Sequence, residues 1–298
     1  MGVDEPFRAE TAALEHLPIK EVVAPRVSRR YGRLSKMVAI AAQRAVTNAE
    51  IPDVSGIPVV AATAVGETKA ALGILEQIHR TGGARISPAL VPNSVHNAAA
   101  GYLHIATKSR APSLTVSQGW LSSEAALAAA HDMLCAFASR VLVVVGDEAD
   151  PAWSARLESF GADALAATLA RSAYQEGATA WVLEKQADDV SQRLVATVER
   201  RPMTPRGIRD MLRRLDVVVT ESTEVRLRKN GSGDQLRPIV SDALQRSAEG
   251  VHLDGVGAGT AQSAPLLSVA AHLRESKRHS LLLLAAEADE LAMVWLGR

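Results

Sequence analysis

The sequence predicts a layered α/β protein, and three observations carry that expectation. Stretches with helical periodicity alternate with short runs of β-formers along the whole chain. The most apolar runs, Val141–Val145 and Leu281–Ala286, suit strands covered on both faces and are too short to span a bilayer. A chain of 298 residues that is 47% apolar and 22% charged, with zero formal net charge, can also bury a large core.

The elements follow in order. Met1–Ala24 offers only a short helix at Glu10–His16, and Arg26–Arg33 is basic. Leu34–Asn48 has apolar residues at helical spacing and is stopped by Pro52. Ile57–Thr63 reads as a buried strand. Gly66 opens a helix over Glu67–Arg80 that Gly82 and Gly83 close. Pro88 and Pro92 punctuate a loop before a helix at Asn97–Thr107 and a strand at Ser113–Ser117. An alanine-rich helix spans Ser122–Ala138, with Ser122 or Ser123 as its N-cap, and the strand Val141–Val145 follows. Beyond it, Ala178–Leu183 and Arg193–Glu199 predict strands, Ile208–Leu215 a helix and Val217–Thr220 a strand. Arg226–Arg237 reads as a polar loop, Pro238–Ser247 and Pro265–Ser276 as helices, and Ser280–Ala286 with Leu291–Leu296 as a hairpin. A shift in composition near Ser172–Gln186 divides the chain into halves, 1–172 and 173–298, expected to form one unit.

Several function classes are excluded. The single cysteine, Cys135, permits neither an internal disulfide nor a cysteine zinc site. Lysine plus arginine balance aspartate plus glutamate at 33 each, so no basic excess exists for nucleic acid. Met1–Glu15 carries acids and no long apolar stretch, so neither a secretory signal nor a membrane span is expected there, and the cytoplasm is the expected compartment. The eight histidines form no HxH, HxxxH or HExxH cluster, so no metal is expected. Gly255–Gly259, GVGAG, misplaces the third glycine of a dinucleotide fingerprint and reads as a loop, and no cofactor is expected. Cys135, flanked by leucine, alanine and phenylalanine, reads as a buried, inert small residue. Ser117, Ser122 and Ser123 lack the GxSxG context of a nucleophile elbow. Trp120 is the odd residue. It stands between a strand and a small-residue helix, where an α/β protein presents a nucleophile or receives a ligand.

The linked motifs from Val65 to Ser113 resemble the first half of the β-ketoacyl-acyl-carrier-protein synthases, condensing enzymes of the thiolase superfamily. They are GGARISPALVP at Gly82–Pro92, NAAAGYLHI at Asn97–Ile105 and RAPS at Arg110–Ser113. Arg29–Ala45 resembles a helix before these motifs and Val141–Glu148 a strand after them. The resemblance covers Arg26–Glu184 and implies a thiolase-like αβαβα layering with two related halves, the second shortened. It also implies where catalytic groups would stand. Counting on from Pro112 and Ser113, the nucleophilic cysteine position falls on Trp120, or on Gln118 with a slip of two. The first histidine position falls on Thr220, and the second on His252 or Val256, depending on register. No thiol means no acyl-enzyme, and losing one member of a cooperating set removes most of the rate.

The chain is therefore most similar to the chain-length factors, or ketosynthase-β subunits, of type II polyketide systems. Its length and the VHNA segment at Val95–Ala98 favour the highly reducing, polyene-forming type. That resemblance implies a catalytic ketosynthase as heterodimer partner and an acyl carrier protein bearing the growing chain. It places Val65, Thr68, Ala71 and Leu75, with Trp120, along a tunnel that sets product length. Thr68, Ala71 and Leu75 share one helical face. Two alternatives stand beside this reading: a purely structural thiolase-fold partner, and an independent acyltransferase using Ser122, Ser123 or Cys135.

Overall fold

The computed structural model describes residues 17–148, 176–185, 193–200, 204–228, 233–245, 251–254, 280–287 and 290–297. Two sheets carry the architecture. In the first, β1 (Val59–Ala62) lies between β2 (Ser113–Val116) and β3 (Arg140–Asp147), all parallel, and β4 (Gly177–Glu184) adds to β3 antiparallel. In the second, β6 (Glu224–Arg228) lies between β7 (Val251–Asp254) and β8 (Leu281–Glu287), again all parallel. There β9 (Glu290–Gly297) adds to β8 antiparallel, and β5 (Arg193–Arg200) adds to β9. The first four positions of the two sheets repeat one connectivity, so the halves are related in topology although no sequence repeat is visible. The strand that matches β5 has no counterpart in the first sheet among the described residues.

The period of two along the strands explains the layers. On β3, Val141, Val143 and Val145 point to one core, while Leu142 and Val144 point to another; all five are buried. The first of these cores holds the helix α5 (Ser122–Ala136), whose Ala126, Leu127 and Ala130 are fully buried between the sheets. Leu281 and Leu283 of β8, with Val294 and Leu296 of β9, close that core from the second sheet. Small residues on α5 let two sheets approach one helix, which is why this helix is alanine-rich on both sides rather than amphipathic. Outside the first sheet lie α2 (Arg33–Asn48) and α4 (Ala98–Thr107), with Leu34, Met37, Val38 and Leu103 in their shared core. Outside the second lie α6 (Pro205–Arg214) and α7 (Gly233–Leu244), with Ile208, Met211 and Val240 buried against Val225 and Leu227. The short α1 (Pro25–Ser28) and α3 (Thr68–Thr81) complete the described helices. The layering is αβαβα, the thiolase-like order. No described helix is long and apolar enough to cross a membrane.

Three expectations are corrected. Val217–Thr220 is a turn rather than a strand: Val217 caps the core below α6, but Val218 is 66% exposed after the left-handed Asp216. The strand is Glu224–Arg228, hidden in sequence because its alternation sets Val225 and Leu227 between charged residues. Helix α7 starts at Gly233 and carries Pro238 inside, so most of Arg226–Arg237 is not loop. Finally, α5 is preceded by a 3-10 turn, Gly119–Leu121, and Ser122 is its first residue rather than its N-cap. The expected helix Pro265–Ser276 lies outside the described residues.

Candidate functional site

The C-terminal ends of β1, β2 and β3 meet the N-terminus of α5, the place where parallel sheets receive ligands. The turn leaving β1 is Thr63–Glu67. Asp147, the last residue of β3, is fully buried and its Oδ1 accepts three bonds from this turn. They come from the Thr63 hydroxyl at 2.6 Å, the Ala64 N–H at 2.8 Å and the Val65 N–H at 3.2 Å. Thr63 Oγ1 in turn accepts the Gly66 N–H at 2.9 Å. Gly66 has φ +72°, and a Cβ there would stand 3.3 Å from the His96 ring, so both conformation and space require glycine.

Ser122 ties this turn to α5. Its hydroxyl accepts the Gln118 N–H at 2.8 Å and shares its hydrogen between Gly119 O at 2.7 Å and Thr63 O at 3.2 Å. The 3-10 turn that bears Trp120 is thereby fixed beside the turn that bears Val65. From the second sheet, Leu121 meets Ala285 and Ala292, and Gln118 Nε2 donates to Glu290 at 2.8 Å. The site thus sits where the two sheets face each other.

A second layer is acidic and buried. Glu67 accepts from Leu34 N–H at 3.2 Å, Ser35 N–H at 2.8 Å and Ser35 Oγ at 2.5 Å, so it caps α2 from the far side of the turn. Arg33 donates its Nε to Glu176 at 2.7 Å and a second nitrogen to the same carboxylate. Glu148 is fully buried, and among the described residues neither of its oxygens meets a donor. Its burial and the facing Glu67 push its pKa up to about 8.

The residues expected along a tunnel are placed as follows. Val65 is half-buried in the turn; Thr68 starts α3, is 2% exposed, and its hydroxyl meets no partner among the described residues. Ala71 is half-buried and Leu75 is 47% exposed, so the shared face runs from the interior to the surface. Trp120 stands in the 3-10 turn at the head of α5, beside Gln118. Thr220 does not join them. It is exposed in the turn before β6, where Thr223 bonds Ser280 at the start of β8. Leu121, the residue after Trp120, packs on Ala285 toward the other end of β8, so the length of β6, roughly 15 Å, separates Thr220 from that turn. The residues that follow β6 at the Trp120 end, 229–232, lie outside the described ones. His252 is inside strand β7, in register with Arg226, rather than in a loop, and Val256 lies outside the described residues.

Cys135 corrects another expectation: it is exposed, not buried, at the end of α5, with its Sγ 3.7 Å from His131 Nε2. Ser122 and Ser123 are fully buried and engaged, Ser123 with Glu124 at 2.9 Å, so neither presents a nucleophile. Among the described residues no group of histidine, cysteine and carboxylate side chains could hold a metal ion. Sequence reasoning missed Glu67, Glu148 and Glu176. A visible signal existed for two of them, since Gly-Asp-Glu closes an apolar strand and Glu67 follows the helix-opening Gly66.

Comparisons with known proteins agree with this architecture. The profile described as beta-ketoacyl synthase, N-terminal domain, matches residues 7–232, more than half of the chain. No curated protein matches significantly. Among solved structures, the ishigamide ketosynthase/chain length factor superposes with a TM-score of 0.71 at 19% identity, over 96% of this chain and 87% of that one. AntDE:AntF, a type II PKS acyl-carrier protein in complex with its ketosynthase, gives 0.72 at 12% identity, over 94% and 87%. A beta-ketoacyl synthase from Burkholderia phymatum STM815 gives 0.73 at 11% identity, over 98% and 90%. With the fold, the layer order and the profile in agreement, this chain belongs to the β-ketoacyl synthase family and has its thiolase-like fold.

Proposed function

We propose that this chain is a chain-length factor: a non-catalytic subunit that pairs with a cysteine-bearing ketosynthase and shapes the tunnel for a growing chain held on acyl carrier protein. The observation that carries the reading is the separation of Trp120 from Cys135. Trp120 stands at the head of the buried helix α5, where the resemblance wants a thiol, while the chain's one thiol is at the foot. Thirteen residue steps of helix, about 20 Å, separate Ser122 from Cys135. No thiolate can form where the acyl-enzyme would be made.

The surface supports a partner. β2 is an edge strand among the described residues, and Leu114 on it is 40% exposed. Leu75 and Ile78 of α3, Val95 of the following loop and Ile105 of α4 are exposed apolar residues too. Single exposed apolar side chains need no explanation, but several of them with an open strand edge fit a surface that a second protein covers. The names of the superposed structures, ketosynthase with chain length factor and ketosynthase with acyl carrier protein, support the same two partners. The polyene-forming type and the organisation into two halves packed as one unit belong to this reading as well.

The test is co-expression with a candidate ketosynthase partner and analysis of product length. Ala71 is small and half-buried on the tunnel face, so A71W fills it and shortens the products while the complex stays intact. Products of unchanged length from an intact A71W complex would sink the ruler role and leave a purely structural subunit.

A further inference from the structure

Asp147 and Glu148 are consecutive, both fully buried, and act on opposite ends of one turn. Asp147 takes the N–H groups of Ala64 and Val65. Glu148 faces Glu67, three residues further on, whose carboxylate is already committed to Leu34 and Ser35 of α2. Two ionised carboxylates cannot face each other without a donor between them in a buried space. Among the described residues neither Glu148 oxygen has a hydrogen-bond donor. The other charged groups around Glu148 are Lys69 of α3, Arg33 of α2 and Glu176 ahead of β4. Arg33 is bound to Glu176, and Lys69 is exposed; both attract the Glu148 carboxylate, but burial and Glu67 outweigh Lys69 in the direction of its shift.

We propose that Asp147 and Glu148 are positioning residues for the Thr63–Thr68 turn, with a proton on Glu148 donated to Glu67 as the clasp that joins the turn to the head of α2. The clasp closes at and below neutral pH and opens as the proton leaves, since a carboxyl titrating high in the folded chain favours folding in its neutral form. Its effect on Val65 and Thr68 as tunnel residues rests on the chain-length reading; the clasp itself does not.

The test is thermal unfolding of the wild type and E148Q, alone or in complex with the partner, from about pH 5 to about pH 9.5. Glutamine keeps the shape and a permanent N–H donor. The wild-type Tm should fall relative to E148Q by on the order of 5 °C as pH rises toward 8, then level off. A second measurement needs no variant. The infrared carbonyl stretch of a protonated carboxyl should be present in the folded wild type near pH 6.5 and lost above about pH 9. Parallel Tm profiles, or no protonated-carboxyl band in the wild type, overturn the clasp. A divergent profile together with product lengths that do not change with pH upholds the clasp and counts against the ruler role.

Discussion

Gly32 is the N-cap of α2, and it is extended, with φ −67° and ψ 179°, a conformation open to any residue. On backbone grounds Gly32→Ala should therefore stabilise the chain by about 0.4–1 kcal/mol through the unfolded state. The packing reverses that sign. A Cβ at Gly32 would collide with both carboxylate oxygens and the Cδ of Glu67. Glu67 would have to leave, and three hydrogen bonds to the first turn of α2 would go with it. Losing a cap costs about 0.5–2 kcal/mol, and leaving buried polar groups unpaired adds about 1–3 kcal/mol. The net expectation is about 2–4 kcal/mol of destabilisation, or a Tm lower by roughly 5–10 °C. Urea or thermal unfolding reads it directly. The double variant Gly32→Ala/Glu67→Ala separates the cause, because it should be no less stable than Glu67→Ala alone. A wild-type Tm for Gly32→Ala would refute the close approach of Glu67 to α2.

Two further outcomes follow from the packing. Leu127→Ala removes a fully buried side chain from α5 between the two sheets, where neither sheet can collapse onto the gap; about 2–5 kcal/mol should be lost in urea unfolding. Cys135 is exposed, so the folded protein should take up one iodoacetamide label without denaturant, and the labelled subunit should support its partner's condensing activity unchanged. An acyl adduct on Cys135 after incubation with an acyl-carrier thioester would instead favour the independent acyltransferase reading.

The fold was legible wherever strands are covered on both faces. Val141–Val145 and the terminal hairpin announce themselves by unbroken apolar runs, and Gly82 with φ +60° ends α3 where the glycine pair predicts it. It was illegible where periodicity is masked by charge. Strand β6 carries an arginine between its buried Val225 and Leu227, so the β-formers of Val217–Thr220 drew the strand one turn too early. That slip set the expected first histidine position at Thr220, at the end of β6 away from the turn that bears Trp120. The spacing of Thr68, Ala71 and Leu75 placed them on one helix face correctly, since the period of 3.6 depends on little else. Cys135 misled because its sequence neighbours are apolar, whereas exposure near a helix end depends on which face turns away from both sheets.

The convergence of strand ends on the head of α5 is a property of the connectivity and persists whatever residues occupy it. Function therefore rests on the occupants, and here they divide by depth. The inner ones, Thr63, Asp147 and Ser122, are buried and hydrogen-bonded to the turns, which fixes the geometry of those turns. The outer ones, Val65 in the turn and Ala71 and Leu75 on α3, are apolar, and Leu75 reaches the surface. A site that does chemistry keeps at least one activated polar group at the point of convergence. A site that measures length needs only a rigid frame and an apolar wall of controlled bulk. On the proposed reading, Trp120 stands where the first would need that group, and the turn that Asp147 holds supplies the frame for the second.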